Sequence, residues 1–394
     1  RIHRDHHRGL SAHIGWRVVG RIGRRLAGSG AVEWIQRIGW IERRLAGAGA
    51  DSLSGIAVLG GGRSSEHDVS LESASSVAAA IDRARHEVIE VTIGREGAWE
   101  AGGHAVALVP GAGDQAWLVP VDGNGAARAI DLVFPVLHGP WGEDGTIQGL
   151  CETAGVPYVG AGVAASAVGM DKALFHVVAT AAGIPRVETL IVSHSEWQDD
   201  PSGVHDRVAG AVGYPAFAKP ARLGSSYGIS PVPDEDALTP ALQLAFAHDD
   251  KALVERRAMG REVEVGLLGD ADPHASPLGE ILHDSDWYDH DAKYRPGGMR
   301  LEVPADVPAH VQDHARDLAV RAWKAIDCSG LARVDFFLEG EDLYISEINT
   351  IPGFTSTSVW GRLMAADGFD YPELIRRLID LAFARHEARR AYRG

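Results

Sequence analysis

Two short apolar segments in the first half of the chain are each followed by a glycine-rich loop and then by a helix-like segment. The two units cover 56–59, 60–62 and 70–81, and then 131–137, 138–145 and 146–154. Apolar runs of this length suit strands buried on both faces, and strands alternating with helices build a parallel sheet. Ligands of such sheets bind at the carboxyl ends of the strands, where both loops stand. The sequence therefore predicts an α/β fold with a site at these loops.

Further elements follow in the second half of the chain. A helix is predicted from Lys172 to about Ala182, a strand over 214–219, a pair of strands around Gly340 and a closing helix over 372–390. A chain of 394 residues is long enough for several domains. We expect an N-terminal extension and three domains, with boundaries at 1–50, 51–168, 169–256 and 257–394.

The first 50 residues differ from the remainder in charge and pattern. They hold ten arginines and three acidic residues, and nine of twelve positions in 20–31 recur in 39–50. Apolar residues at helical spacing beside arginines are typical of a basic amphipathic helix, although a disordered arm can have the same composition. We expect an extension of one of these kinds that takes no part in catalysis.

Composition excludes several classes of protein. The net charge of -16 argues against nucleic acid as a partner. No apolar run approaches the ~20 residues that a membrane span needs. Cys151 and Cys328 are the only cysteines, too few for a disulfide framework. No secretory signal is recognisable, so we expect a cytoplasmic protein without a membrane span.

Both early loops carry one side chain suited to a small charged ligand. Glu66, in the loop before the first helix, can hold an ammonium group, and the following helix N-terminus favours anions. His138 stands at the end of the second apolar strand. A glycine-rich turn or a lone histidine is often only structural, so each of these signals is weak alone.

Lys219 ends a predicted strand and precedes a Gly-Ser-Ser loop that runs to Gly228. Backbone N–H groups and hydroxyls of such a loop can surround phosphate oxygens. The glycines of a Walker loop precede its lysine, so the order here is reversed and another phosphate-binding architecture is indicated. Only five of the 38 basic residues are lysines, which makes a lysine at this place more informative.

The strongest pattern is the predicted strand pair over 330–350. If Leu338 pairs with Tyr344, then Asp335 faces Glu347, Arg333 faces Asn349, and all four share one face of the sheet. Two carboxylates and an amide suit Mg²⁺. This pairing needs an odd-length loop near Glu341, because a two-residue turn at 340–341 would move Glu347 to the opposite, apolar face.

Taken together, four motifs resemble the D-alanine–D-alanine ligases of the ATP-grasp superfamily over about residues 55 to 386. In order, they cover 61–71, 138–145, 330–335 and 347–355. The resemblance implies a mixed α/β, three-domain ATP-grasp fold with an N-terminal parallel α/β domain. It also implies ATP-dependent joining of two D-alanines through an acyl phosphate, for peptidoglycan precursor synthesis, by a homodimer.

The resemblance further implies a role for each matching residue. The proposed ATP contacts are Lys172, Lys219, Ser225, Glu255, Glu262 and Lys293. The proposed ligands of two Mg²⁺ ions, with Mn²⁺ as an alternative, are Asp335, Glu347 and Asn349. The first amino acid would meet Glu66 and His138, and the second Ser358 and Val359. Arg333 and the backbone of Gly353 would stabilise the oxyanion. In a mobile loop over 289–294, Tyr294 would bond with Ser225 and Glu66.

Alternatives stay open at this point. A related ligase could use D-lactate, D-serine or a natural-product amino acid as its second substrate, or the chain could be an inactive ATP-binding protein. The glycine-rich segment 295–299 and the pair Trp360-Gly361 depart from the family pattern near the second substrate. Tyr294 favours an amine as the nucleophile, since lactate-using relatives lack this tyrosine.

Overall fold

The computed structural model describes residues 53–111, 115–225, 227–282 and 299–392. The extension 1–50 and the loop with Lys293 and Tyr294 lie outside the described residues, so the expectations for them stay predictions. The described chain holds three β-sheets with helices packed on them. This mixed α/β architecture agrees with the predicted fold class.

The first sheet contains β1 (Ser54–Gly61), β2 (His86–Ile93), β3 (Trp99–Ala101), β4 (His104–Pro110), β5 (Ala116–Pro120), β6 (Arg128–Ile130) and β7 (Leu132–Pro135). Its order is β6-β5-β4-β3-β2-β1-β7, and β1 pairs in parallel with both β2 and β7. The pairs from β2 through β6 are antiparallel. The expectation of a parallel sheet is therefore right for β2, β1 and β7 and wrong for β3 to β6.

Three helices accompany this sheet: α1 (His67–Ala80), α2 (Thr146–Ala154) and α3 (Val163–Met170). The bounds of α2 are those predicted, whereas α1 begins three residues before the predicted start at 70. Beyond α2, Tyr158 makes an isolated parallel bridge to Val133. The loops before α1 and α2 follow β1 and β7 and lie at the carboxyl ends of these parallel strands.

The second sheet contains β8 (Thr189–Ser193), β9 (Ala216–Pro220), β10 (Ser230–Val232) and β11 (Lys251–Arg256), in the order β10-β9-β11-β8. Its helices are α4 (Lys172–Ala181), α5 (His194–Asp199), α6 (Pro201–Ala211) and α7 (Leu238–Phe246). Helix α4 begins where Asp171 caps it by accepting a hydrogen bond from the N–H of Leu174. This cap fixes Lys172 in the first turn, as predicted.

The third sheet contains β12 (Arg261–Gly269), β13 (His274–Ala275), β14 (Gly279–Leu282), β15 (Arg300–Glu302), β16 (Gly330–Glu339) and β17 (Asp342–Asn349). Its order is β15-β14-β12-β16-β17, with β13 beside β12. The last helices are α8 (Ala309–Ala325), α9 (Val359–Ala366) and α10 (Tyr371–Arg390). Val334, Phe336 and Ile348 point into a core beneath this sheet, so one face of the β16–β17 hairpin is apolar, as expected.

The register of the hairpin corrects one prediction and confirms another. Leu338 pairs with Leu343, not with Tyr344, because a two-residue turn at 340–341 joins the strands. A β-bulge then leaves Ser346 as an extra residue, with Phe336 opposite Ile345. Asp335 therefore still faces Glu347, because the bulge cancels the one-residue shift made by the turn.

A buried arginine attaches the C-terminal helix to two distant segments. The guanidinium of Arg385 in α10 donates to the carbonyl of Tyr158 at 2.9 Å, to the carbonyl of Gly160 and to the hydroxyl of Ser329. It also lies over the ring of Tyr158, 4.7 Å from the centroid. Helix α10 itself packs against β7 and α1. Three parts of the chain thus meet at one side chain.

No single helix in the parts of the chain that the structure describes is long and apolar enough to cross a membrane. Helices α3 and α4 reach that apolar length only together, with a bend of 105° between them. Residues of both helices, such as Ala165 and Phe175, belong to the core.

Candidate active site

The polar face of the third sheet brings the predicted metal ligands together. Asp335 stands opposite Glu347, and Arg333 stands opposite Asn349. Nε and Nη2 of Arg333 donate to the two oxygens of Asp335, each at 2.7 Å, and the amide of Asn349 donates to Asp335 at 3.0 Å. Glu264 on β12 is opposite Asp335 on the other side and lies 3.1 Å from Nε of Arg333. These carboxylates raise the pKa of Arg333 well above its ordinary value, although burial opposes its charge.

Lys172 extends from the first turn of α4 to this face. Its ammonium lies 3.0 Å from Glu347 and donates to the carbonyl of Leu223 at 2.8 Å. Burial disfavours the ammonium, but the charge of Glu347 outweighs it and raises the pKa of Lys172. The ammonium of Lys172 on helix α4 is thereby held against the carboxylate of Glu347 in the third sheet.

The predicted nucleotide contacts lie on the neighbouring strands. Lys219 is the next-to-last residue of β9, and its ammonium pairs with Glu255 on β11 at 2.6 Å, with both side chains buried. Glu262 on β12 pairs with Phe337 and so lies on the same sheet face as Glu264 and Asp335. The loop after β9 carries Ser225 toward the first sheet.

Glu66 immediately precedes α1 and contacts that loop directly. Ser225 donates a hydrogen bond of 2.5 Å to Oε1 of Glu66. A Cβ built on Gly139 or on Gly224 would stand 3.0 Å from Oε2 of the same carboxylate, so both loops pass close to it. The family resemblance implied that Tyr294 would bond with both Ser225 and Glu66; these two residues bond with each other here, and Tyr294 lies outside the described residues.

His138 is buried beside Glu66, at the end of the segment that follows β7. Its Nδ1 donates to the carbonyl of Ile351 at 2.9 Å, and its Nε2 lies 3.2 Å from the hydroxyl of Ser73. Burial disfavours the imidazolium, yet Glu143, 3.7 Å away, and the charge of Glu66 raise the pKa of His138. Burial also raises the pKa of Glu143. The carboxylates of Glu143 and Glu66 therefore favour the cationic form of His138.

The loop after β17 carries the remaining predicted residues. A Cβ on Gly353 would lie 3.4 Å from the hydroxyl of Ser358, which accepts a hydrogen bond from the N–H of Thr355 at 3.0 Å. Ser358 precedes Val359, the first residue of α9, so the N-terminal N–H groups of this helix stand here and favour an anion. The buried Trp360 packs on Phe354, with ring centroids 5.2 Å apart.

Three side chains at this site were not found from the sequence. Glu264 could have been recognised, because it follows Glu262 by two residues and a strand places such residues on one face. Glu143 belongs to a loop motif that drew attention only to His138. The third is His176 in α4, whose ring contacts strand β17 through a backbone carbonyl. No local pattern could have indicated it, because the contact spans 170 positions along the chain.

Comparisons with known proteins agree with this geometry. Residues 55–161 match the family model of the D-ala D-ala ligase N-terminus, and residues 178–380 match that of the C-terminus. A D-alanine–D-alanine ligase of Deinococcus radiodurans is 47% identical over 332 residues, which cover 83% of this chain and 98% of that protein. Another, of Heliobacterium modesticaldum, is 44% identical, with 84% and 95% covered.

Solved structures give the same result. The D-alanine-D-alanine ligase from Coxiella burnetii superposes with a TM-score of 0.77 and 33% identity, covering 86% of this chain and 97% of that one. The VanG D-Ala:D-Ser ligase from Enterococcus faecalis gives a TM-score of 0.75 and 32% identity, with 84% and 100% covered. The chain belongs to the D-alanine–D-alanine ligase family.

Proposed function

We propose that this protein is an ATP-dependent ligase that joins two D-alanines and forms ADP and phosphate. The observation that carries the proposal is the register of β16 and β17, which puts Asp335 opposite Glu347 and Arg333 opposite Asn349. A ligase that activates a carboxylate with ATP needs a metal site and a cation at one place, and the carboxylates and the guanidinium on this face support that assignment. Under this proposal, the chain has domains at 51–168, 169–256 and 257–394, and ATP binds between the last two.

The residues present fit a nucleotide and a divalent cation. Oε1 of Glu255 is buried and has no hydrogen-bond partner among the described residues, so it suits a donor such as an adenine amino group. Asp335, Glu347 and Asn349 offer the oxygen ligands that Mg²⁺ prefers when phosphates and water complete its coordination. Bound Mg²⁺ would neutralise charge on the transferring phosphoryl group. We assign Lys172, Lys219, Lys293, Ser225 and Glu262 to ATP.

In the first step, the carboxylate of one D-alanine attacks the γ-phosphorus of ATP, and ADP leaves. Glu66 would hold the ammonium of this substrate, oriented by its bond to Ser225, with His138 beside it. Lys172 and Lys219 would spread the phosphate charge. The product is an acyl phosphate, which is a far better acyl donor than a carboxylate.

In the second step, the amine of the second D-alanine attacks the acyl carbon, the bond from this carbon to the phosphate oxygen breaks, and phosphate leaves while the new amide nitrogen loses a proton. Asp335 holds Nε and Nη2 of Arg333, which orients the guanidinium so that it can stabilise the tetrahedral oxyanion together with the backbone N–H of Gly353. Ser358 and Val359 at the start of α9 would bind the carboxylate of this substrate.

The biological setting follows from the product. D-Alanyl-D-alanine serves peptidoglycan precursor synthesis, so we place the protein in cell-wall assembly and in the cytoplasm, where ATP is available. We expect a homodimer that uses two Mg²⁺ ions and accepts Mn²⁺. Size-exclusion chromatography with light scattering tests the dimer, and a monomeric active enzyme would contradict it.

The substrate claim is tested by measuring ATP-dependent phosphate release with D-alanine, L-alanine, D-serine and D-lactate. We expect D-alanine alone to support release and D-alanyl-D-alanine to appear in the mass spectrum. Lys219→Met should abolish release, while Lys324→Met, at an exposed lysine 3.4 Å from Asp272, should not. Release with L-alanine but not with D-alanine would overturn the assignment.

A further inference from the structure

One face of helix α4 contacts two consecutive residues of strand β17. Lys172 and His176 are four positions apart and so lie one above the other on the helix. Lys172 approaches the side chain of Glu347 at 3.0 Å, and Nε2 of His176 donates to the carbonyl of Ser346 at 3.2 Å. Ser346 is the extra residue of the β-bulge. The helix therefore binds the strand at the irregularity itself.

The chemical state of His176 follows from its surroundings. The side chain is buried, and burial lowers the pKa of His176, which favours the neutral ring with a single N–H. A carbonyl can only accept, so that proton stands on Nε2. The same nitrogen lies 3.6 Å from Oε1 of Glu255, the carboxylate that pairs with Lys219. One ring N–H thus stands between the hairpin and the buried Lys219–Glu255 pair.

We propose that His176 is a positioning residue that holds the β-bulge of β17 and thereby keeps Glu347 on the polar sheet face, where Asp335 and Asn349 are the other proposed metal ligands. The inference rests on the proposed ligase function for the meaning of that face. His176 reaches no reacting atom in this account and acts through the backbone of Ser346.

The alternative strand register shows why the β-bulge at Ser346 needs a stabilising contact. With the two-residue turn at 340–341 and no bulge, Ser346 would face Asp335 and Glu347 would face Val334 on the apolar side. The bulge avoids this but makes the ladder irregular at Ser346, where a buried carbonyl without a partner would be destabilising. The N–H of His176 satisfies it, while the neighbouring N–H of Ile345 donates to the carbonyl of Pro185 at 2.8 Å. The bulge is therefore bonded along its outer edge.

The test compares His176→Leu, which removes the donor, with His176→Gln, whose amide can donate from a similar distance. The control is His205→Leu, at a partly buried histidine in α6 whose Nε2 lies 3.1 Å from Thr239 Oγ1. Binding of Mn²⁺ in the presence of ADP is followed by the loss of the free-ion signal in electron paramagnetic resonance. We expect about 10-fold to 100-fold weaker Mn²⁺ binding in His176→Leu, recovery in His176→Gln and no change in the control.

Deletion of Ser346 provides an independent variant. Deletion removes both the bulge and its carbonyl while leaving an alternating strand in which Glu347 can still face Asp335. His176→Leu should then cause no further loss of Mn²⁺ binding, because the two changes act on one contact. Crystal structures of both variants report the register directly.

Two results would overturn the inference. One is wild-type Mn²⁺ affinity in a folded His176→Leu protein, and the other is a full additional loss when that change is made in the deletion variant. A wild-type enzyme that binds Mn²⁺ and ADP but ignores D-alanine would instead overturn the proposed function and leave the role of His176 standing.

Discussion

Replacement of Glu347 by glutamine tests the metal site with almost no change of shape. The carboxylate lies 3.0 Å from the ammonium of Lys172, a distance at which two unit charges attract by about 5 kcal/mol at an effective dielectric constant of about 20. The amide keeps an acceptor for Lys172 and has less solvation to lose, so the net loss of folding free energy should be about 2 kcal/mol. Catalysis should suffer more, since one of two opposed carboxylates is lost. We expect phosphoryl transfer to fall about 100-fold to 1000-fold, as for other preorganised electrostatic contacts.

Two assays separate these effects. Phosphate release at saturating ATP, Mg²⁺ and D-alanine measures the catalytic loss, and urea unfolding of the metal-free protein measures the stability loss. Glu341→Gln is the matched control, because Glu341 is in the turn of the same hairpin and its contact with His310, at 3.1 Å, is exposed. Equal turnover in Glu347→Gln and wild type would refute the metal assignment. Equal losses in both variants would show that the charge of the hairpin matters and its position does not.

Three further predictions concern other parts of the chain. A protein that starts at Asp51 should keep its turnover, since the family matches begin at 55; an inactive but folded truncation would contradict this. Trp360→Leu should lower the free energy of unfolding by about 3 kcal/mol in urea, because the indole is buried and donates to a backbone carbonyl. Hydrogen bonds from Arg376 and Arg377 lower the pKa of Glu373 to about 2. The resulting stabilisation is present above the unfolded pKa of ~4.3 and is lost as pH falls toward 2. Glu373→Gln should therefore be about 1 kcal/mol less stable at neutral pH after solvent screening, and the difference should shrink in acid; a difference independent of pH would exclude this origin.

The sequence was informative wherever a regular spacing of apolar and polar residues determined which face of a strand each side chain occupies. Alternation in β16 put Arg333 and Asp335 on one face and Val334 on the other, and the spacing of Glu347 and Asn349 gave the matching face of β17. The turn was mispredicted because the bulge was not recognised. Its signal was present, since buried residues in β17 follow at 343, 345 and 348, a change of spacing from two to three.

Contacts between distant segments could not be predicted in this way. Lys172 was assigned to phosphate by resemblance, but its ion pair with Glu347 depends on how α4 packs on the third sheet. The strands β3 and β6 also escaped, because the three-residue segments 99–101 and 128–130 are too short to show a period.

The attachment of helix α10 has a consequence for the order of events during protein synthesis. A ribosome releases the chain from its N-terminal end, so the first sheet and the segment around Tyr158 and Gly160 emerge long before Arg385 is made. Those carbonyls, and the face of β7 that α10 covers, therefore have to wait for the twenty residues of α10. Completion of the N-terminal part is therefore a late event, and a message that stops before Arg385 yields a chain whose earliest-made sheet lacks its final partner.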